Sequence, residues 1–191
     1  VECGDWIGRM QLNELGSTTK ICQQLATAWA AWRGDKIMPA RADMQLEDIV
    51  EILPWITIVD VISETELTFR LAGTMIREVM GIELTGRNLL EITEPEYQAA
   101  RGAGIVQIAH KPCGVVWIWN IAFQNQDYRP AEILSLPVRS NKAGQPVQLL
   151  SVMGLLGRSE MLRAMDHLQQ LAPSEQASFI DIGAGIPPAR N

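Results

Sequence analysis

Hydrophobic residues recur at helical spacing near the start of the chain. Ile21, Leu25, Trp29 and Trp32 follow one another at offsets of four, four and three, which places them on one face of a helix. Gly34 ends the pattern, so we predict an amphipathic helix of about four turns. Its apolar face covers either the protein's own sheet or another subunit. In the second case Leu25, Trp29 and Trp32 are the candidate contacts with a dimer or partner protein.

The following segment alternates between strand and short-helix patterns. Residues 46–53 predict a short helix that ends before Pro54, because a residue preceding proline is pushed out of helical space. Residues 55–62 and 67–72 are rich in Ile, Val and other strand formers and predict a hairpin joined by a polar turn. Residues 75–80 predict a second short helix, ended by Gly81.

The second half combines one longer helix with three strands. Residues 94–111 predict a helix with small side chains, including Gly102 and Gly104, which can lie close against a sheet. Residues 115–123, 131–138 and 147–156 predict strands that short turns make antiparallel neighbours, and residues 159–171 predict a final helix. Because strands and helices do not alternate, the predicted fold class is α+β.

Length and composition favour a single domain with extensions. The chain has 191 residues, of which 47% are hydrophobic, so it can bury a substantial core. We expect an extension and amphipathic helix over residues 1–34, a central domain over residues 35–157, and a helix and tail over residues 158–191.

Charge and cysteine content narrow the function classes. A net charge of −6 without a cluster of Lys and Arg argues against a nucleic-acid binder. No apolar run approaches the ~20 residues of a membrane span. The first residues do not have the pattern of a signal peptide, and the chain begins without Met. Three scattered cysteines with no CxxC pattern indicate reduced thiols, so we expect a cytoplasmic location.

The stretch LAGTMIREVMGIELTGRNLLEI resembles a region of the PAS domain in which a strand leads into a short helix and a glycine-containing turn. Gly81, Leu84, Gly86, Arg87 and Leu89 fit the pattern of that turn. More narrowly, residues 25–156 resemble a bacterial, typically alphaproteobacterial, family of single-PAS proteins of about this length. The first half carries the specific motif, and the second half agrees in the order of its elements.

The resemblance implies a fold, a position for the ligand and a mode of dimerisation. It implies a five-stranded antiparallel sheet of order 2-1-5-4-3, with short helices on one face and the amino-terminal helix on the other. PAS domains bind small ligands between sheet and helices, and many form dimers through the helix that precedes the sheet. A homodimer and a protein partner in signalling are therefore expected, although the fold by itself does not specify a function.

The residues needed for a known cofactor or for catalysis are poorly represented. Haem requires an axial ligand, usually His, and the sequence offers only His110 and His167. A flavin photoadduct requires a reactive Cys in a particular helical setting, which neither Cys22 nor Cys113 has. No metal-ligand spacing, nucleophile motif or phosphate-binding loop is present, so the sequence identifies no cofactor, and we expect no catalytic or metal-binding residues and no enzyme activity.

A ligand pocket is the remaining candidate site. Apolar side chains on the second and third strands would face a lid formed by the short helix, and polar residues of the lid would contact the ligand; the candidates are Phe69, Leu71, Thr74, Met75, Arg77, Met80, Trp117 and Trp119. Arg70 or Arg77 could bind an acidic ligand bidentately. Alternatively, the apolar set is ordinary core, and both arginines pair with Glu78, Glu83 or solvent.

Three functional hypotheses follow, in order of preference. The first is a ligand-responsive PAS module that signals through protein contacts. The second is a ligand-free scaffold with a filled core, which uses its terminal helices to bind partners. The third is an enzyme with an unrecognised site, for which no residue gives positive support.

Overall fold

The computed structural model describes residues 19–122, 128–157, 169–172 and 175–187. Its helices and strands, in chain order, are α1 (Lys20–Arg33), β1 (Ile56–Ser63), β2 (Glu66–Ala72), α2 (Thr74–Met80), α3 (Pro95–His110), β3 (Gly114–Ala122), β4 (Tyr128–Val138), β5 (Gln148–Leu155), β6 (Gln169–Ala172) and β7 (Glu175–Ile180). The described residues also form four short 3₁₀ turns: Arg41–Asp43, Leu46–Ile49, Leu53–Trp55 and Leu89–Ile92.

The strands form one antiparallel sheet of order β2-β1-β5-β4-β3-β7-β6. The α+β class and the order 2-1-5-4-3 of the first five strands are therefore confirmed. The two further strands extend the sheet beyond β3, which would otherwise be an edge strand with unpaired backbone groups.

The carboxy-terminal part differs from the prediction. Residues 159–171 were expected to be helical, but the last of them belong to β6, and residues 158–168 lie outside the described part of the chain. The tail that was expected after this helix contains the strand β7. Gly114 to Ile118 of β3 pair with β7, because that edge offers free backbone donors and acceptors.

Alternation along the central strands divides the hydrophobic residues into two cores. Odd-numbered residues such as Val59 and Met153 face α2 and α3, whereas even-numbered residues such as Ile58 and Val152 face α1. We refer to these as the cavity face and the α1 face. Since both faces are covered, β4 and β5 are almost continuously buried, as their long apolar runs require.

Helix α1 packs tightly on its face of the sheet. Leu25 and Trp29 are completely buried, and Trp32 is 7% exposed. The Trp29 indole N–H donates to the carbonyl of Pro137 at 3.0 Å, and the Trp32 N–H donates to Asp48 at 2.8 Å. The three side chains predicted as partner contacts therefore belong to the chain's own core, and the alternative in which the helix covers its own sheet applies.

The first helical turn of α1 lies directly above a buried carboxylate. Glu132 on β4 is 1% exposed and accepts a hydrogen bond from the backbone N–H of Thr19. Gly154 on β5 lies beneath the same turn, and a Cβ there would overlap the Thr19 hydroxyl. An anionic group at a helix amino terminus is electrostatically favourable, so Glu132 helps fix where α1 begins on the sheet.

Helix α3 lies close to the β1–β2 hairpin at Gly102. A Cβ at this buried glycine would overlap the carbonyl oxygen of Glu64 in the hairpin turn, whereas a Cβ at Gly104 would meet nothing within 4 Å. The small-sided helix was expected to lie close against the sheet, and the close approach at Gly102 is to the turn between β1 and β2.

We predict opposite effects of alanine at these two glycines. Gly102→Ala should lower the free energy of unfolding by about 1–3 kcal/mol, because the hairpin must move away. Gly104→Ala should raise it by up to about 1 kcal/mol, because alanine favours helix over glycine. Urea unfolding followed by circular dichroism measures both values. Equal effects of the two substitutions would contradict this close contact.

Trp29 provides a test of the buried role of α1. Trp29→Ala should lower the free energy of unfolding by about 3–5 kcal/mol, and Ala31→Ser on the exposed side of α1 should change it by less than about 0.5 kcal/mol. If Trp29 instead formed a subunit interface, the wild-type unfolding midpoint would depend on protein concentration. Unfolding at two concentrations a hundredfold apart distinguishes these cases.

Candidate functional site

A cavity of about 630 Å³ lies between the cavity face of the sheet and the helices that cover it. Its floor is formed by side chains of the strands, and its roof by α2, α3 and the 3₁₀ turn Leu89–Ile92. Apolar side chains dominate both surfaces, among them Val59, Phe69, Ile76, Ile105, Trp117 and Ile133. The cavity is thus a largely apolar space between the sheet and its covering helices.

Contacts in the amino-terminal half of α3 hold the roof above the floor. Gly102 meets the β1–β2 hairpin, as described above. Gln98 donates to the carbonyls of Leu90 and Thr93 at 2.9 and 3.2 Å. Because these contacts are made to backbone groups of neighbouring segments, α3 is held above the floor and does not collapse onto it.

The floor has a polar row across its centre. Thr57 on β1 is paired with Ser151 on β5, and Ser151 with Ser135 on β4, so three hydroxyl-bearing residues follow one another across three strands. The Ser135 and Ser151 hydroxyls are 2.7 Å apart and hydrogen-bonded. These small residues leave room above them, where larger side chains would fill the cavity.

Arg101 on α3 brings a positive charge to the cavity. Its Nη1 donates to the Thr93 hydroxyl at 2.7 Å, and its guanidinium carbon lies 4.4 Å from the centre of the Trp119 ring. Burial lowers the pKa of Arg101 to about 10, and the charge of Glu94 opposes this shift. The side chain therefore remains cationic at neutral pH, and it is the sole Lys or Arg among the described residues that line the cavity.

Trp119 contributes a second polar atom at this end of the cavity. Its indole Nε1 is buried and has no hydrogen-bond partner among the described residues. The ring lies beside Trp117, with centroids 6.1 Å apart and planes inclined at 49°. An indole N–H is a donor only, so this atom can be satisfied by an acceptor on a bound molecule.

Four of the eight side chains predicted for the pocket line the cavity: Phe69, Met80, Trp117 and Trp119. The other four, Leu71, Thr74, Met75 and Arg77, are absent from its lining. On α2 the cavity is reached by Ile76 and Met80, one turn apart, whereas Thr74 and Arg77 are exposed. Whether any of these residues binds a ligand remains a prediction.

Leu71 departs from the expected position because of a β-bulge. The register places Phe69 opposite Val59 but Leu71 opposite Ile58, so Arg70 is the extra residue. A bulge reverses the alternation beyond it, which moves Leu71 away from the face that Phe69 shares. Leu71 is accordingly 37% exposed.

The arginines proposed for an acidic ligand also lie elsewhere. Arg70 approaches Asp60 on β1 at 3.2 Å, and Arg77 approaches Glu83 at 4.0 Å with both side chains more than half exposed. Arg101 was overlooked, although its spacing from Ile105 and Ile108 placed it on the buried face of α3.

The cysteine and histidine side chains of the described residues lie outside the cavity lining. Cys22 on α1 and Cys113 before β3 are completely buried, and burial raises the pKa of both thiols, that of Cys113 to about 12. His110 is exposed at the end of α3, and His167 lies outside the described residues. Within the described part of the chain, no group of three or more His, Cys, Asp or Glu could hold a metal ion.

No helix of the described residues is long and apolar enough to cross a membrane.

Solved structures with a similar fold include two of VqmA and one light-oxygen-voltage (LOV) protein. VqmA bound to DPO is 18% identical, with a TM-score of 0.44 over 62% of this chain and 60% of that chain. The Vibrio cholerae VqmA dimer without target DNA is 17% identical, with a TM-score of 0.44 over 61% of this chain and 53% of that chain. The Rhodobacter sphaeroides LOV protein is 17% identical, with a TM-score of 0.43 over 64% of this chain and 74% of that chain.

The match spans less than two thirds of either VqmA chain. No curated protein sequence matches the chain. A family model described as PAS domain, in contrast, matches residues 17–156, which include α1 and the first five strands. The chain therefore belongs to the PAS domain family.

Proposed function

We propose that the chain is a sensory module that binds a small molecule in its cavity and signals through protein–protein contacts, without catalysing a reaction. The observation that carries this proposal is the cavity itself. Ligand pockets in proteins commonly measure about 300–1,000 Å³ and are lined mostly by apolar side chains with a few polar groups. At about 630 Å³, with Arg101, Trp119 and a row of hydroxyls among apolar walls, this cavity has that character.

The roof is the part that responds to a ligand in this proposal. Helix α2 has only seven residues, and the 3₁₀ turn Leu89–Ile92 has four. Such short elements are stabilised mainly by their packing, so filling the space beneath them changes their environment directly. Met80, a flexible side chain, lines the cavity from α2 and can adapt to ligands of different shape.

A polar network around the buried side chains of Asp60 and Gln148 provides a route from the sheet to the segment after α1. Asp60 on β1 binds Arg70 at 3.2 Å and accepts from Gln148 on β5 at 2.6 Å. Gln148 in turn accepts from Arg41 at 3.3 Å, in the 3₁₀ turn Arg41–Asp43. A small shift between β1 and β5 caused by a ligand on the other face would therefore reach this turn.

A ligand-free interaction scaffold is the second candidate. Its support is a set of large apolar side chains that are exposed on the segment after α1 and on the β1–β2 hairpin, namely Ile37, Leu46, Val50, Ile62 and Leu71. Leu46, at the start of the 3₁₀ turn Leu46–Ile49, is 53% exposed, and Val50, directly after this turn, is 62% exposed. Within the described part of the chain, these residues, rather than Trp29 and Trp32, offer exposed apolar surface for a partner.

A substitution that fills the cavity tests the proposal. Wild-type protein should bind N-phenyl-1-naphthylamine, an apolar fluorescent probe, saturably. Ser151→Phe places a ring above the polar row and should weaken binding at least about tenfold, a change of 1.4 kcal/mol. The free energy of unfolding should change by less than about 1.5 kcal/mol, since the main loss is the hydrogen bond to Ser135.

Leu150→Phe, at the next position of β5, is the matched control. Leu150 is 1% exposed and packed in the core beneath α1, so a larger side chain should lower the free energy of unfolding by about 1–3 kcal/mol. Probe affinity should remain that of wild type in the folded fraction. Absence of saturable probe binding by the wild type, or equal binding by Ser151→Phe, would contradict a ligand-accessible cavity.

A further inference from the structure

Two serine hydroxyls in the floor of the cavity indicate which polar group its ligand carries, and this inference rests on the proposed ligand-binding function. Ser135 on β4 and Ser151 on β5 are register partners, are 4% and 7% exposed, and both line the cavity. Their Oγ atoms lie 2.7 Å apart. The two hydroxyls therefore act as one polar unit on the central strands of the sheet.

This serine pair makes fewer hydrogen bonds than its hydroxyls allow. A serine hydroxyl has one O–H donor and two acceptor lone pairs, so a bonded pair keeps one O–H and three lone pairs. Among the described residues, neither hydroxyl forms a hydrogen bond besides the one to the other. Because both side chains line the cavity, its interior is where the remaining O–H can find an acceptor.

Thr57 adds a third hydroxyl beside the serine pair. It lies opposite Ser151 on the neighbouring strand β1, and it also lines the cavity. Residues paired in this way have Cβ atoms about 4.5–5.5 Å apart. A group bound at the serine pair is therefore within reach of a further donor and acceptor.

The positions on either side of this hydroxyl row are apolar. Two residues along the strands in one direction, Val59 pairs with Leu149, and two residues in the other direction, Ile133 pairs with Met153. An entirely apolar ligand would cover the row and leave its remaining donor without an acceptor, which costs free energy. A ligand with one polar group among apolar atoms would satisfy the row and the surrounding walls together.

The charges of the lining favour an uncharged ligand. The described lining residues include one cation, Arg101, and one anion, Glu94, so their formal charges cancel. Arg101 is already engaged by the Thr93 hydroxyl and by the face of the Trp119 ring. An ion that entered this apolar space would lose its hydration without a net opposite charge to replace it.

We infer that the ligand is an uncharged, largely apolar molecule that carries a hydroxyl group, and that the Ser135–Ser151 pair binds this hydroxyl at the floor of the cavity. The ligand oxygen accepts the remaining O–H of the pair, and the ligand O–H donates to an oxygen of the pair or to the Thr57 hydroxyl. A hydroxyl matches the row because it is a donor and an acceptor at a single atom. The apolar body of the ligand lies over the apolar positions on either side.

Three small molecules that share one ring system test this inference through their displacement of N-phenyl-1-naphthylamine. 2-Naphthol differs from naphthalene by a single hydroxyl, and 2-naphthoate carries a carboxylate in its place. At neutral pH, wild-type protein should bind 2-naphthol about 10- to 100-fold more tightly than naphthalene, because naphthalene leaves the O–H of the serine pair without an acceptor. 2-Naphthoate should bind at least about tenfold more weakly than 2-naphthol, since its charge must lose hydration.

The double variant Ser135→Ala, Ser151→Ala removes both partners of the hydrogen bond, so no lone serine hydroxyl remains. It should reduce the preference for 2-naphthol over naphthalene to less than about twofold, and it should bind naphthalene more tightly than wild type does, because the floor is then more apolar. Ser140→Ala is the matched control. Ser140 lies two residues after β4 and outside the cavity lining, where its Oγ accepts from the Lys142 N–H at 3.5 Å. This control should keep the wild-type preference.

The outcomes separate the two proposals. If N-phenyl-1-naphthylamine does not bind saturably, the ligand-binding function fails and this inference fails with it. If it binds, but 2-naphthol and naphthalene displace it with similar affinity or the double variant retains the preference, the cavity is a binding site whose ligand the serine pair does not select. Tighter binding of 2-naphthoate than of 2-naphthol, or loss of the preference in Ser140→Ala, would also overturn the inference. If the double variant does not fold, the ratio of the 2-naphthol and naphthalene affinities in wild-type protein decides the question.

Discussion

The two faces of the central sheet are covered in physically different ways, and the rest of the structure depends on that difference. On one face α1 fills the space above the strands, with Trp29 completely buried and its indole N–H bound to the carbonyl of Pro137. On the other face the helices bridge the strands and leave a cavity. Because alternate residues of one strand face opposite cores, β5 serves as a packing surface at Leu150 and as the floor of a cavity at Ser151.

The cavity persists because its roof is supported at the rim. Gly102 allows α3 to meet the backbone of the β1–β2 hairpin, and Gln98 and Arg101 tie the start of the helix to the segment around Thr93. These are contacts with backbone or buried hydroxyl groups, so they fix the height of α3 above the floor. The same contacts place the charge of Arg101 at the cavity, so that the support of the roof also gives the cavity its polar end.

Residue patterns predicted the first five strands and the helices between them because the apolar strand runs and the Gly and Pro residues that bound the elements are local signals. The spacing of Leu25, Trp29 and Trp32 required a buried helix face, but spacing alone does not say whether the chain or a partner covers it. The bulge at Arg70 is a non-local property of strand pairing, so Leu71 was assigned to the wrong face. Likewise β7 forms because the edge of β3 is available, which the short sequence of β7 does not by itself indicate.

The most direct test of the central claim, that the space between sheet and helices is a ligand site, is native mass spectrometry of the protein. Under gentle conditions the account predicts one retained small molecule per chain, or one molecule of N-phenyl-1-naphthylamine per chain after incubation with the probe. Denaturing conditions should remove that mass. If both samples show only the mass of the unliganded chain under gentle conditions, the claim is contradicted. The interaction scaffold is then the better account.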